Sequence, residues 1–97
     1  MPEMRFLVLW PDGRRESCYS PSLVIKEFFD EGESYPLAEF LSRSRQALEI
    51  ASDRVKAKYG HSCSLAQGQL ARIEKTAAEF SQTPHAKVVC ETFLMET

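Results

Sequence analysis

The segment MRFLVLW, residues 4–10, places Met4, Phe6, Val8 and Trp10 on one face and Arg5, Leu7 and Leu9 on the other, with the period of two that a β-strand imposes. Apolar residues on both faces make this a central strand, so the rest of the chain has to supply its neighbours. PDG follows at once: Pro11 fixes φ, Asp12 hydrogen-bonds its own backbone and Gly13 accepts positive φ. The spacing predicts a hairpin into RRESCYS, where Arg15, Ser17 and Tyr19 share one face and Glu16, Cys18 and Ser20 the other. This second strand is polar enough to be an edge. The last segment, HAKVVCETFLME, reads as a third strand with Val89, Phe93 and Met95 on one face and Val88, Cys90 and Leu94 on the other. Its expected partner is the first strand, in a direction that the sequence leaves open.

Helices fill the middle of the chain. Ser20 before Pro21 reads as an N-cap with proline at the first helical position, so PSLVIKEFF is expected to be a short helix that ends in DEGES, where Gly32 supplies a cap or loop conformation. From Pro36 to Tyr59, apolar or small residues recur at three-and-four spacing (Leu37, Phe40, Leu41, Ser44, Ala47, Leu48), and Ala51, Val55 and Tyr59 continue the stripe to a C-cap at Gly60. A second long helix starts at SLAQ, where Ser64 and Gln67 have capping-box spacing, and it presents Leu70, Ile73, Ala77 and Phe80. Gly68 inside that helix, at about 1 kcal/mol relative to alanine, suggests close packing against another backbone. The fold expected is α+β: a three-stranded sheet, made of the N-terminal hairpin and the C-terminal strand, packed with two main helices and one short helix. Residues 1–97 form a single domain in this reading.

Composition narrows the class of function. Hydrophobic residues at 43% and charged residues at 27% are ordinary globular values. A net charge of −2 gives no overall field for a polyanion, which argues against nucleic acid as a partner. No apolar run approaches the roughly 18 residues a membrane span needs, and MPEMRF does not resemble a leader, so a cytoplasmic location is expected. Three cysteines lie far apart and read as free thiols of a reducing compartment.

The polar stretch ESCYSPS, residues 16–22, raises the question of an active site. A nucleophilic Cys18 needs a base or a positive environment, and no histidine stands beside it in sequence. The plainer reading is a strand residue at a strand-to-helix junction. That junction can still bind an anion, because a helix start exposes N–H groups and Ser20 and Ser22 add hydroxyl donors. Cys18, Tyr19, Ser20 and Ser22 are therefore the candidate ligand-binding residues. His61, Cys63, Cys18, Cys90 and His85 have no paired spacing for zinc. The cations Arg43, Arg45, Arg54, Lys56 and Lys58 are spread around the long helix and read as a solvated surface, with Glu39 and Arg43 in favourable i,i+4 order. No catalytic residue, metal or cofactor is expected.

Four blocks taken in order, MPEMRF, WPDG, ESCYSPSLV and ASDRVKAKYG, resemble a family of small bacterial nitrogen starvation response proteins. The resemblance covers nearly the whole chain up to the second long helix, and the last twenty or so residues contribute less. It implies a gene neighbourhood with a nitrilase, a radical-SAM protein, an acetyltransferase and a flavin-dependent oxidoreductase, and hence a place in nitrogen or nitrile metabolism. It carries over no site residue. The function expected is a non-enzymatic accessory or interaction protein with protein partners from that pathway. Surplus apolar surface on the first and third strands leaves a homodimer open as well. The alternative is a small ligand-binding module or enzyme with its site at the Cys18–Ser22 junction.

Overall fold

A computed structural model describes residues 3–61 and 63–96. The first strand, β1 (Glu3–Leu9), turns through Trp10–Arg14 into β2 (Arg15–Ser20). The turn uses the chemistry expected of it: Gly13 has φ 92°, its N–H donates to the Trp10 carbonyl at 2.9 Å, and the Asp12 carboxylate accepts from the Arg14 N–H at 3.1 Å. A short helix α1 (Ile25–Phe28), a strand β3 (Glu33–Pro36), two long helices α2 (Leu37–Tyr59) and α3 (Ser64–Ala78), and a final strand β4 (Lys87–Glu96) complete the chain.

The sheet has four antiparallel strands in the order β2-β1-β4-β3, not the three expected. β1 is central and pairs with β4, as its two apolar faces require. The additional strand, ESYP, contains one large apolar residue and ends in proline, so it carries almost no period-two signal. Proline suits it because β3 is an edge strand. Tyr35 anchors it: the side chain is buried, its ring lies 5.2 Å from that of Phe29, and its hydroxyl accepts the Asp30 N–H at 2.9 Å.

A β-bulge in β4 corrects the expected faces of that strand. Leu7 pairs with Thr92 and Val8 with Cys90, which leaves Glu91 over. One extra residue inverts the alternation beyond it. Val88, Cys90 and Phe93 therefore share the core side, and Val89, Thr92 and Leu94 lie on the open side.

Three other expectations are also revised. The short helix spans only Ile25–Phe28, and Ser20 closes β2 and is no N-cap: its hydroxyl donates to the Ser22 carbonyl at 2.8 Å and accepts the Ser22 N–H at 3.3 Å. Local side-chain bonds of this kind compete with helix formation. At α3, Cys63 takes the N-cap position with no side-chain cap bond, so Ser64 falls inside the helix and the capping box does not form. The Cys63 N–H is instead held by Ser52 of α2 at 3.3 Å. Beside Gly68 the nearest atom to an added Cβ is a guanidinium nitrogen of Arg72 at 3.6 Å, with no close backbone.

The core lies between one sheet face and the helices. Met4, Phe6, Val8 and Trp10 meet Ile25 of α1, Phe40 and Leu48 of α2, and Ile73 of α3. Aromatic contacts run through it, with Phe29 5.3 Å from Phe40 and Trp10 5.5 Å from Phe40 between ring centroids. Burying a side chain of this size contributes about 1.5–3 kcal/mol. The stripe of α2 follows the expected spacing through Ala51, but residues 56–60 are all exposed, so Tyr59 has left the core before Gly60 ends the helix at φ 85°.

Candidate functional site

The four candidate residues on the β2 junction have different fates. Cys18 is fully buried on the core face of β2, and burial first, then the Glu16 carboxylate, pushes its thiol well above the ordinary range. Ser20 and Ser22 are buried and engaged. The Ser22 hydroxyl accepts the Val24 N–H at 3.2 Å and an Arg54 N–H at 2.9 Å, so a cation of the long helix pins the turn from residue 21 to residue 24. Tyr19 alone of the four lines a cavity described here.

That cavity, of about 520 Å³, follows the outer edge of β2. Arg5, Ser17 and Tyr19 form its sheet side, and Leu65, Gln69 and Arg72 of α3 form the other. A second cavity of about 240 Å³ adjoins it, sharing Glu3, Tyr19 and Leu65 and adding Tyr59 and Cys63. Leu65 is 63% exposed, an apolar side chain on the rim. A third, about 270 Å³, separates α2 from α3 at Glu49, Asp53 and Gln67.

Gln69 organises the larger cavity. It is 1% exposed, and its carbonyl oxygen accepts the Tyr19 backbone N–H at 3.0 Å, a donor on the outer edge of the sheet. The same oxygen accepts from Arg72 at 3.2 Å, and its amide nitrogen donates to Glu16 at 3.2 Å. Glu16 receives the Trp10 indole N–H on its other oxygen at 3.0 Å. At the far end the Tyr19 hydroxyl donates to Glu3 at 3.0 Å, and the Arg5 guanidinium lies 5.8 Å from the centre of the Tyr19 ring. Two carboxylates and two guanidiniums thus surround an apolar and aromatic middle.

Apart from Tyr19, the sequence reading passed over these residues. The signal available was Gln69 itself, which falls on the buried stripe Ala66, Gln69, Ile73, Ala77, where an apolar residue is the norm. Among the described residues, no group of three or more His, Cys, Asp or Glu side chains is placed to hold a metal ion, and no helix is long and apolar enough to cross a membrane. The cations of α2 are partly committed to neighbours: Arg43 to the Phe28 carbonyl at 2.6 Å, Arg45 to Glu74 at 2.9 Å.

The chain matches no curated protein and no solved structure. A family model described as nitrogen starvation-induced protein NitG does match, over residues 5–93. That span runs from the central strand through the turn, both long helices and most of the last strand, and the chain accordingly belongs to the nitrogen starvation-induced protein NitG family.

Proposed function

We propose that the chain is a non-enzymatic accessory protein of the nitrogen starvation response, which docks a protein of the same pathway on the open face of its sheet. The resemblance noted above makes an enzyme of nitrogen or nitrile metabolism the partner class. The observation that supports this reading is the second apolar face of the central strands. All three helices pack on the Met4–Phe6–Val8 side, while Leu7, Leu9 and Val89 are only half-buried and Leu94 is 45% exposed. A patch of this kind on a small domain usually marks a contact.

Charges of both signs rim this face, with Arg5, Arg15 and Lys87 standing among the carboxylates of Glu3, Glu31 and Glu91. Pairing through the sheet edges is disfavoured, because Gln69 occupies the Tyr19 N–H and Glu31 the Phe93 N–H at 3.0 Å.

The test is capture from nitrogen-starved cells with the tagged wild type and a Leu94→Asp variant. Because Leu94 is exposed, the variant should keep its stability within roughly 0.5 kcal/mol. Recovery of a pathway enzyme at fixed stoichiometry by the wild type and its loss by Leu94→Asp supports the reading. Equal recovery by both chains, or none by either, overturns it.

A further inference from the structure

We infer that the cavity along the outer edge of β2 is a binding site for a zwitterionic amino acid with an uncharged side chain. The site adjoins the docking face, since Arg5 of its lining pairs across the sheet with Leu94, but its argument does not rest on docking. Its volume of about 520 Å³ is within the usual range for small-molecule sites. The argument rests on how charge is arranged inside it.

The cavity is lined by Glu3, Glu16, Arg5 and Arg72, so its formal charge is balanced. A balanced pocket gives a lone anion or cation no net advantage, whereas a molecule carrying both charges can satisfy both kinds of wall. The Gln69 amide sets the spacing. Arg72 approaches its oxygen and Glu16 its nitrogen, each at 3.2 Å, so a guanidinium and a carboxylate are held on the two sides of one amide group. The ammonium and carboxylate of an amino acid are separated on the same short scale.

Arg72 carries five N–H donors in a fixed fork, and its bond to Gln69 orients that fork without exhausting it. It takes the ligand carboxylate. Glu16 is oriented in turn by Trp10 and Gln69, and each of its oxygens has a further lone pair for an ammonium N–H. The buried Gln69 makes this a preformed site, since its rotamer is set by the backbone of β2 as well as by the two charges. The Tyr19 ring and the exposed Leu65 give an uncharged side chain an apolar wall.

The probes are leucine, methionine and glutamine, titrated into the full chain by calorimetry, with amide shifts recorded in parallel. At least one should bind saturably at millimolar concentration or below and move the Tyr19 and Gln69 resonances. Its N-acetyl and carboxamide derivatives, each lacking one charge, should bind about tenfold more weakly or worse, as should Arg72→Gln and Glu16→Gln chains that keep the wild-type melting midpoint. Lys87→Glu, on the docking face at the far end of β4 from Arg5, should leave the affinity unchanged, which separates this site from the docking surface. No saturable binding of the three up to about 10 mM, equal affinity for the capped derivatives, or wild-type affinity in Arg72→Gln overturns the proposal.

Discussion

Ser20 shows how one hydroxyl can look like a helix cap and act as something else. Its Oγ sits in a fully buried position and takes part in two hydrogen bonds with Ser22, which close the turn after β2. Ser20→Ala would leave the Ser22 N–H and carbonyl with lost partners in a site closed to water, so unfolding free energy should fall by about 1–3 kcal/mol in a urea titration. An unchanged midpoint would show that the turn holds without it. The thiols make a second residue-scale case. Burial pushes the Cys90 thiol up to about 12, with the Glu31 and Asp30 carboxylates adding to the effect, and Cys18 is displaced in the same direction. The unfolded chain therefore loses these protons first as pH rises. Their contribution to stability is complete below about 9 and declines as pH climbs toward 12. Unfolding measured from pH 8 to 11 should show that decline, Cys90→Val should reduce it, and replacing Cys18 as well should flatten it. The sequence showed that the cysteines are free, but which of them are buried depends on which strand face meets the helices.

At the scale of elements, long periodic segments were legible and short ones were not. The stripe of α2 repeats often enough to outweigh any single residue, and Gly60 ends the helix in the left-handed conformation expected. β3 has four residues and gains its place from Tyr35 and from pairing with β4, a strand more than fifty positions along the chain. Where β3 stops, Glu31 continues the protection of β4: its carboxylate accepts the Thr92 hydroxyl at 2.6 Å and the Phe93 N–H at 3.0 Å. Those two bonds, the hydroxyl first, hold its carboxyl below the ordinary value of 4.5. The contribution is present above that value and disappears as pH falls through the lowered one. The Phe93 amide resonance should therefore titrate with a midpoint below 4.5 and cease to do so in Glu31→Gln.

At the scale of the whole molecule, α3 and the hairpin are joined through a polar contact that periodicity does not reveal. Gln69 reaches across fifty residues of sequence to the Tyr19 backbone, and across fifty-three to Glu16. Gln69→Leu keeps the side-chain volume but strands the Tyr19 N–H and a Glu16 oxygen. It should lower the unfolding free energy by about 1–3 kcal/mol, read by chemical denaturation, and open the cavity side of β2 to amide exchange. Loss of exchange protection confined to α3 would instead place the contact outside the β2 edge. The sequence by itself determined the central position of β1, the hairpin at Asp12 and Gly13, the two long helices and the stop at Gly60, because periodicity and turn chemistry are local and act on residues a few positions apart. It also left an apolar surplus on β1 visible before any fold was known. Only the tertiary structure decided the fourth strand, the inversion of faces at Glu91, the burial of Cys18, Ser20 and Ser22, and the cavity that Tyr19 shares with Gln69 and Arg72. Each of these arises where distant segments meet, and there the partner that satisfies a buried donor or covers a strand edge is chosen by packing and not by neighbours in the chain.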